Sequence, residues 1–234
     1  MKLMTLKEQL EKHNLKIFSI NDVAKITEQN KHTMRVFLNR QVKNNHLTQL
    51  KKGYYAFKEI NKFELNKLFK NTYIALNSAL EYYQTTTQRY INLELISKNT
   101  LKNQTIENIK INIHKTKHFF GYEKVIINNT EVFISNKEKT LIDCLLFSVY
   151  LTEINEFIKK SSLNINKLKQ YLNQINSSTL NKRIGYLLEL NNMKIDLKIN
   201  NKYEKLNKDL KITNKKNKKW KLIINEALEW TKKN

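Results

Sequence analysis

The chain has 234 residues, with 43 Lys or Arg against 21 Asp or Glu, so its formal net charge is +22 at pH 7. This balance favours a polyanionic partner over an acidic protein or a small substrate. We expect no membrane association, because no apolar run approaches the roughly 20 residues that span a bilayer and no signal peptide or lipidation motif is present.

Charge and cysteine content refine this view. The net charge is +9 over residues 1–70, +5 over 71–190 and +8 over 191–234, so both ends are denser in positive charge than the middle. Part of the excess follows from A/T-rich coding, since only four of the basic residues are arginines and Asn and Ile are also abundant. The single cysteine, Cys144, cannot close an internal disulfide and favours a reducing cytoplasm.

Two short helices are predicted near the amino terminus by their start signals. The sequence Thr5-Leu6-Lys7-Glu8 has the form of a capping box and predicts a helix to about His13. Ser19 with Asp22 three residues later predicts a second helix, because the serine oxygen can accept an orphan amide hydrogen. The polar break Glu28-Gln29-Asn30 then predicts a tight turn.

A third helix, over about residues 31–43, is expected to have one packed face and one exposed face. The packed side carries Met34, Phe37, Leu38, Gln41 and Val42 at helical spacing. The residues expected to contact DNA are His32, Thr33, Arg35, Asn39, Arg40 and Lys43. Two of the four arginines lie in this helix, and arginine is the side chain that reads guanine bidentately.

Two strand-like runs follow at 46–50 and 54–57, joined by Lys51-Lys52-Gly53, where Gly53 can take the positive φ of a hairpin turn. Three helices and this hairpin predict a winged helix-turn-helix domain over residues 1–60. If the third helix enters a major groove, Lys51 and Lys52 would lie beside the phosphate backbone. The alternative is a small helical domain whose polar face is only solvated.

The rest of the chain predicts a larger mixed α/β domain over 61–190 and a basic connector with a final helix over 191–234. A polar helical stretch is expected at 61–71, and Asn128-Asn129 is expected to turn a hairpin. Strands are predicted at 90–96, 109–113, 125–127 and 132–134, and helices at 73–83, 135–150, 153–160, 165–174 and 178–190. The predicted fold class is therefore α+β and predominantly helical.

Further signals lie in the second half of the chain. Ser135-Asn136-Lys137-Glu138 has the form of another capping box. Residues 191–219, rich in Lys and Asn, are expected to be mobile or to lie along the surface. From about Lys219 a last helix is predicted, with Trp220, Ile223, Ile224, Ala227 and Leu228 on one stripe that docks on its own protein more often than on a partner.

Signals for catalysis are weak. His114 and His118 could clamp a metal only if they were helical, whereas the alternation of isoleucines at 109, 111 and 113 favours a strand running into a loop. Glu138 and Asp143 are five residues apart and so on different helix faces, which favours a cap and a solvated side chain over an acid pair. We therefore expect no enzyme, no catalytic residues, no metal and no cofactor.

Four segments occur in an order that resembles the AbiEi family, the antitoxin-like regulators of abortive-infection toxin–antitoxin loci. They are Leu50-Lys51-Lys52-Gly53-Tyr54-Tyr55-Ala56, the stretch 73–80, the stretch 135–143 and the stretch 181–188. The resemblance covers roughly residues 5–190 and rests on apolar patterns rather than catalytic signatures. Its matches at Glu138, Asp143 and Gly185 are interpreted first as fold determinants.

The resemblance implies a cytoplasmic autorepressing antitoxin. Its winged helix-turn-helix would bind inverted repeats of double-stranded DNA in its own promoter, and its C-terminal domain would act against a nucleotidyltransferase-like toxin. Carried onto this chain, the reading positions are His32, Thr33, Arg35, Asn39 and Lys43. The alternatives are a regulator without a toxin, an enzyme acting on nucleic acid, and an RNA-binding or translational factor whose tyrosines, such as Tyr54 and Tyr55, stack on bases.

Overall fold

The computed structural model describes residues 2–57, 60–211 and 215–226, and it shows a mixed α/β protein with about 40% helix and 21% strand. The mixed composition is confirmed, but helix is less dominant than predicted. The described chain forms two compact units, each made of separate segments: 2–57, 60–74, 91–117 and 123–134 in the first, and 75–90, 118–122, 135–211 and 215–226 in the second. The predicted domains 1–60, 61–190 and 191–234 are instead continuous stretches of the chain. They remain a prediction about which stretch carries which function.

The first unit begins with three helices and a small sheet. The helices are α1 (Leu3–Lys12), α2 (Ile20–Ile26) and α3 (Lys31–Lys43), and the strands are β1 (Ile17–Ser19), β2 (Thr48–Lys51) and β3 (Tyr54–Ala56). The three helices and the hairpin of β2 and β3 were all expected, whereas β1 was not. It pairs antiparallel with β3, so that the strand order is β1-β3-β2.

A contiguous apolar core holds these elements together. Its buried members are Leu6 and Leu10 of α1, Phe18 of β1, Val23 and Ala24 of α2, Met34 and Leu38 of α3, Leu47 and Tyr55. Every helix thus contributes its apolar stripe to one cluster, as amphipathic helices around a shared core do.

Two predicted capping boxes in this unit have different outcomes. At α2 the box is confirmed: the Ser19 amide donates to Asp22 Oδ2 at 2.7 Å and the Asp22 amide donates to Ser19 Oγ at 3.2 Å. At α1 it is wrong, because the helix begins at Leu3, Lys2 is the N-cap and no side chain caps it. Thr5 therefore lies in the first turn of the helix and not at its N-cap.

We predict that Ser19→Ala lowers the free energy of unfolding by about 1 kcal/mol, because it leaves an N-terminal amide of α2 without its acceptor. Thr5→Ala is the matched control, and it should be neutral or slightly stabilising, since Ala is the better helix former. Urea denaturation of the two variants measures both effects. Equal destabilisation by both substitutions would contradict the assigned helix starts.

The first unit also carries a six-stranded sheet. Its strands are β4 (Thr72–Ile74), β5 (Leu93–Ser97), β6 (Gln104–Ile106), β7 (Ile109–Lys115), β8 (Tyr122–Ile127) and β9 (Thr130–Ser135), in the order β6-β7-β5-β4-β9-β8. The hairpin of β8 and β9 is confirmed, with Asn128 and Asn129 at φ of 47° and 64°. The prediction that Tyr73 opens a helix is wrong, because it lies in β4, buried in the sheet.

The stretch predicted as a polar helical connector is a buried part of this unit. It forms a 3₁₀ helix over Lys62–Leu68, in which Phe63, Leu65 and Leu68 are buried. Asn66 is buried as well, and its Oδ1 accepts a hydrogen bond from the Phe133 amide of β9 at 2.9 Å. The predicted helical form is confirmed, as a 3₁₀ helix, whereas the predicted polar connector is wrong: Asn66 bonds to the sheet, and the buried Glu64 carboxylate accepts from the Asn61 amide at 2.9 Å.

The second unit is mainly helical. Its helices are α4 (Leu76–Tyr82), α5 (Lys137–Leu146), α6 (Leu151–Lys160), α7 (Ile165–Ile175) and α8 (Ser178–Leu190), and its strands are β10 (Glu204–Lys205), β11 (Lys216–Asn217) and β12 (Leu222–Ile223). The predictions for α6, α7 and α8 are confirmed. Helix α5 starts one residue later than its expected box, because Asn136 is the N-cap and its Oδ1 accepts from the Lys139 amide at 3.0 Å.

The final helix predicted from Lys219 is wrong for the described residues. Trp220 lies in a turn and 222–223 form β12, which pairs with both β10 and β11. Ala227 and Leu228, also assigned to that helix, lie outside the described residues. A stripe of apolar residues this short does not separate a helix from a buried strand.

Helix α8 holds the segment that follows it. Asn181 Nδ2 donates to the Lys198 carbonyl at 2.9 Å, and Arg183 Nε donates to the Lys205 carbonyl at 3.1 Å. Trp220 is 5% exposed and packs so closely on Gly185 that a Cβ at that glycine would lie 2.1 Å from the indole ring. The described part of the basic connector therefore lies along the surface of its unit, one of the two alternatives expected.

We predict that Gly185→Ala lowers the free energy of unfolding by about 1 to 3 kcal/mol, because the added methyl group overlaps the Trp220 ring. In a Trp220→Leu background the same change should be neutral or stabilising by up to about 1 kcal/mol, since Ala favours the helix once the ring is gone. A double-mutant cycle by urea denaturation measures this reversal. An identical effect in both backgrounds would contradict the contact.

A buried ion pair lies inside α5. Lys139 Nζ bonds to Asp143 Oδ1, and both side chains are fully buried. Burial lowers the pKa of Lys139, and the Asp143 carboxylate opposes that shift. The prediction that Asp143 is solvated is therefore wrong. Glu138 does not cap α5 either: its Oε1 accepts from the Asn164 amide at 2.8 Å, ahead of α7.

We predict that Asp143→Ala costs about 3 to 5 kcal/mol, because it removes the Asp143 carboxylate from beside the buried Lys139 ammonium. The combined variant Lys139→Met/Asp143→Leu should be less destabilised than the single one. Stability of Asp143→Ala should rise from neutral toward alkaline pH, because a lysine whose folded pKa is depressed binds fewer protons folded than unfolded. Urea titrations across that range test both points, and a double variant no better than the single one would contradict the first.

Candidate nucleic-acid interface

Local signals fix where α3 begins and which side of it is buried. Asn30 caps the helix, its Oδ1 accepting from the His32 amide at 2.7 Å, and the helix ends before Asn44. Met34, Leu38 and Gln41 are buried, and Phe37 and Val42 are partly buried. The predicted packed side of α3 is therefore confirmed, and the core fixes the rotation of the helix about its axis.

The opposite side of α3 is open to solvent. We call it the α3 polar face, and it consists of His32, Thr33, Arg35, Asn39, Arg40 and Lys43, all of which are exposed. Lys51 and Lys52 of the β2–β3 hairpin are exposed as well. The condition on which the DNA-reading hypothesis depends is thus met, since neither arginine of the helix is buried and the stretch is helical.

Positive charge on this segment is not balanced by neighbouring carboxylates. No acidic residue occurs in the sequence between Glu28 and Glu59, whereas residues 29–57 hold six basic ones, Lys31, Arg35, Arg40, Lys43, Lys51 and Lys52. Among the residues that the structure describes, Arg35, Arg40 and Lys43 form no ion pair. The segment therefore presents a formal charge of +6, and three of its cations, Arg35, Arg40 and Lys43, have no carboxylate partner to displace within the described part of the chain.

The hairpin beside α3 has the expected turn. Gly53 adopts φ of +81°, as predicted, and apart from its chain neighbours no atom lies within 4 Å of the position of a Cβ there. Lys52 occupies the other turn position. Lys51 is less free than expected, because its Nζ lies 5.2 Å from the centroid of the Phe69 ring. Of the two lysines assigned to a phosphate backbone, Lys52 is the better placed.

A hydrogen bond between the hairpin and α3 was not foreseen from the sequence. The Tyr55 hydroxyl donates to Asn39 Oδ1 at 3.3 Å, while the Tyr55 ring is 2% exposed and stacks on Phe18 at 6.4 Å. Burial raises the pKa of Tyr55, against the opposing effect of Arg35. The bond orients the exposed Asn39 amide, and it joins residues 16 positions apart that no local pattern connects.

The histidine pair that could clamp a metal only if it were helical begins in a strand. His114 lies in β7, as expected, and its Nε2 is 2.7 Å from Glu94 Oε2, while Asn112 Nδ2 donates to Glu94 Oε1 at 2.7 Å. Within 2–57, 60–211 and 215–226, no three His, Cys, Asp or Glu side chains are grouped so that they could hold a metal ion. None of the helices in this described part is long and apolar enough to cross a membrane.

Comparisons with known proteins assign no family. No protein-family model matches the chain, and no curated protein sequence is significantly similar to it. Interpretation of the α3 polar face therefore rests on its own geometry and charge.

Proposed function

We propose that the chain is a sequence-specific regulator of transcription that binds double-stranded DNA, with α2 and α3 as a helix-turn-helix and the β2–β3 hairpin as its wing. The observation that carries the proposal is the α3 polar face, which is exposed, cationic and fixed in rotation by the core beneath it. Arginine suits this role because its planar guanidinium forms bidentate hydrogen bonds that a lysine ammonium cannot form.

The dimensions and chemistry of α3 suit a major groove. Thirteen residues span about 20 Å, and a major groove about 12 Å wide admits one helix. Arg35 and Arg40 can each donate two hydrogen bonds to a guanine edge, and Asn39 can bond to adenine. Lys52 at the hairpin tip suits a phosphate instead, because an ammonium is a point charge without planar geometry.

The regulator is further proposed to be the cytoplasmic, autorepressing antitoxin of an AbiE-like system. Support comes from the order of segments that resembles the AbiEi family, and not from any contact in the structure. In this proposal the operator is an inverted repeat, and the partner is a nucleotidyltransferase-like toxin. A regulator without a toxin remains the alternative, and the gene beside this one distinguishes the two.

We predict that Arg35→Ala weakens binding to a selected operator duplex by about 1 to 3 kcal/mol and relaxes base preference, because it removes a bidentate contact. Lys52→Ala should weaken binding to operator and random duplex alike and reduce the slope of log K against log salt by about 0.9, the value for one phosphate. Fluorescence anisotropy over a salt series measures both effects.

Lys110→Ala is the control for this experiment, since Lys110 is exposed but lies on β7 of the six-stranded sheet. It should bind as the wild type does. If Arg35→Ala and Lys52→Ala lose equal affinity on both duplexes, base reading by α3 is ruled out. Circular dichroism confirms that each variant is folded.

The RNA-binding alternative is disfavoured by one observation. Tyr54 and Tyr55 are the examples of tyrosines that would stack on bases, but Tyr55 is 2% exposed in the core, and Tyr54 is only partly exposed. One gel-shift experiment with duplex DNA and single-stranded RNA as competitors tests it. The proposal expects duplex DNA to displace RNA, and the reverse would overturn it.

A further inference from the structure

An apolar side chain lies in the middle of the α3 polar face. Val36 is 59% exposed, although it is β-branched and belongs to a helix whose other apolar residues are at least partly buried. It is two residues after Met34 and two before Leu38, so at 3.6 residues per turn it projects about 160° to 200° away from each. Val36 therefore points directly away from the core.

Polar side chains surround Val36 on the helix surface. At three and four positions before and after it lie Thr33, His32, Asn39 and Arg40, the neighbours that helix geometry places within about 5 to 6 Å between Cβ atoms. A single exposed hydrophobe elsewhere on a protein needs no explanation. Here its position is informative, because it occupies the outermost line of the helix between the hydrogen-bonding side chains.

Neither packing nor helix formation accounts for valine at this position. It contributes nothing to the core, and valine is a poorer helix former than the alanine, lysine or glutamate common on exposed faces. An apolar group between donors suits a target that presents an apolar group between acceptors. In a major groove that target is thymine, the one base whose edge carries a methyl group, beside its O4 acceptor.

We propose that Val36 is a specificity-determining residue, which contacts the 5-methyl group of a thymine in the bound site. This inference rests on the proposed function. Arginine and asparagine neighbours recognise hydrogen-bonding groups, whereas the methyl group can be recognised only by an apolar contact. The face would then require a thymine near the centre of each half-site, next to the bases that Asn39 and Arg40 contact.

Deoxyuridine scanning tests the proposal. The probe is the duplex that the wild-type protein selects from a randomised library, with each thymine replaced singly by deoxyuridine, which differs only by the methyl group. At one position in each half-site, wild-type affinity should fall about fourfold, the factor that corresponds to ~0.8 kcal/mol for one buried carbon group. Val36→Ala should lose a similar factor on the thymine duplex and show no further loss on the uridine duplex.

Controls separate the possible failures. Met4→Ala, a truncation of another exposed apolar side chain, which lies on α1 and is 70% exposed, should keep the uridine sensitivity of the wild type. Alanine favours the helix, so lost affinity in Val36→Ala cannot come from unfolding of α3. If selection yields no preferred duplex, the proposed function fails and this inference fails with it. If a preferred duplex is bound but no uridine matters, or if Val36→Ala keeps the sensitivity, only the inference is overturned.

Discussion

Burial of Met34 and Leu38 is the constraint on which the arrangement of the first unit depends. These two side chains, with those of α1, α2 and β3, form one apolar cluster, so α3 cannot rotate without exposing them. A helix has two sides, and fixing one fixes the other. The cations of α3 are therefore exposed because of what lies beneath them, and the same constraint puts Val36 at the outermost position.

Much of this unit was readable in the sequence because its signals are local. The Ser19 capping box, the polar break before α3, the helical spacing of apolar residues in α3 and the glycine turn each involve residues at most a few positions apart. The exposed residues of α3 follow from the same spacing. No local pattern predicts that Tyr55 bonds to Asn39 or that the Lys51 ammonium lies over the Phe69 ring. Both contacts join residues far apart in the sequence, so they depend on the tertiary fold.

Errors in the sequence-based prediction share a physical cause. Asp143, Glu138 and Asn66 are polar residues that the structure buries, each with a partner that is invisible to periodicity: a lysine one turn away, the amide of Asn164 and the amide of Phe133. Hydrophobicity patterns assume that polar groups face water, and they fail where hydrogen bonds replace water. The helix predicted for the C-terminal segment is wrong for a related reason. The apolar residues of this segment form part of a short sheet and, through Trp220, pack against Gly185 of α8.

The link from Tyr55 to Asn39 has a mechanical consequence. The Tyr55 ring is stacked in the core and its hydroxyl bonds to Asn39 of α3, so the hairpin and the helix are held at a fixed separation. Lys52 lies at the tip of that hairpin. A rod-shaped anion could contact both α3 and Lys52 only if its width matched this separation. A broader or narrower rod would contact only one of the two.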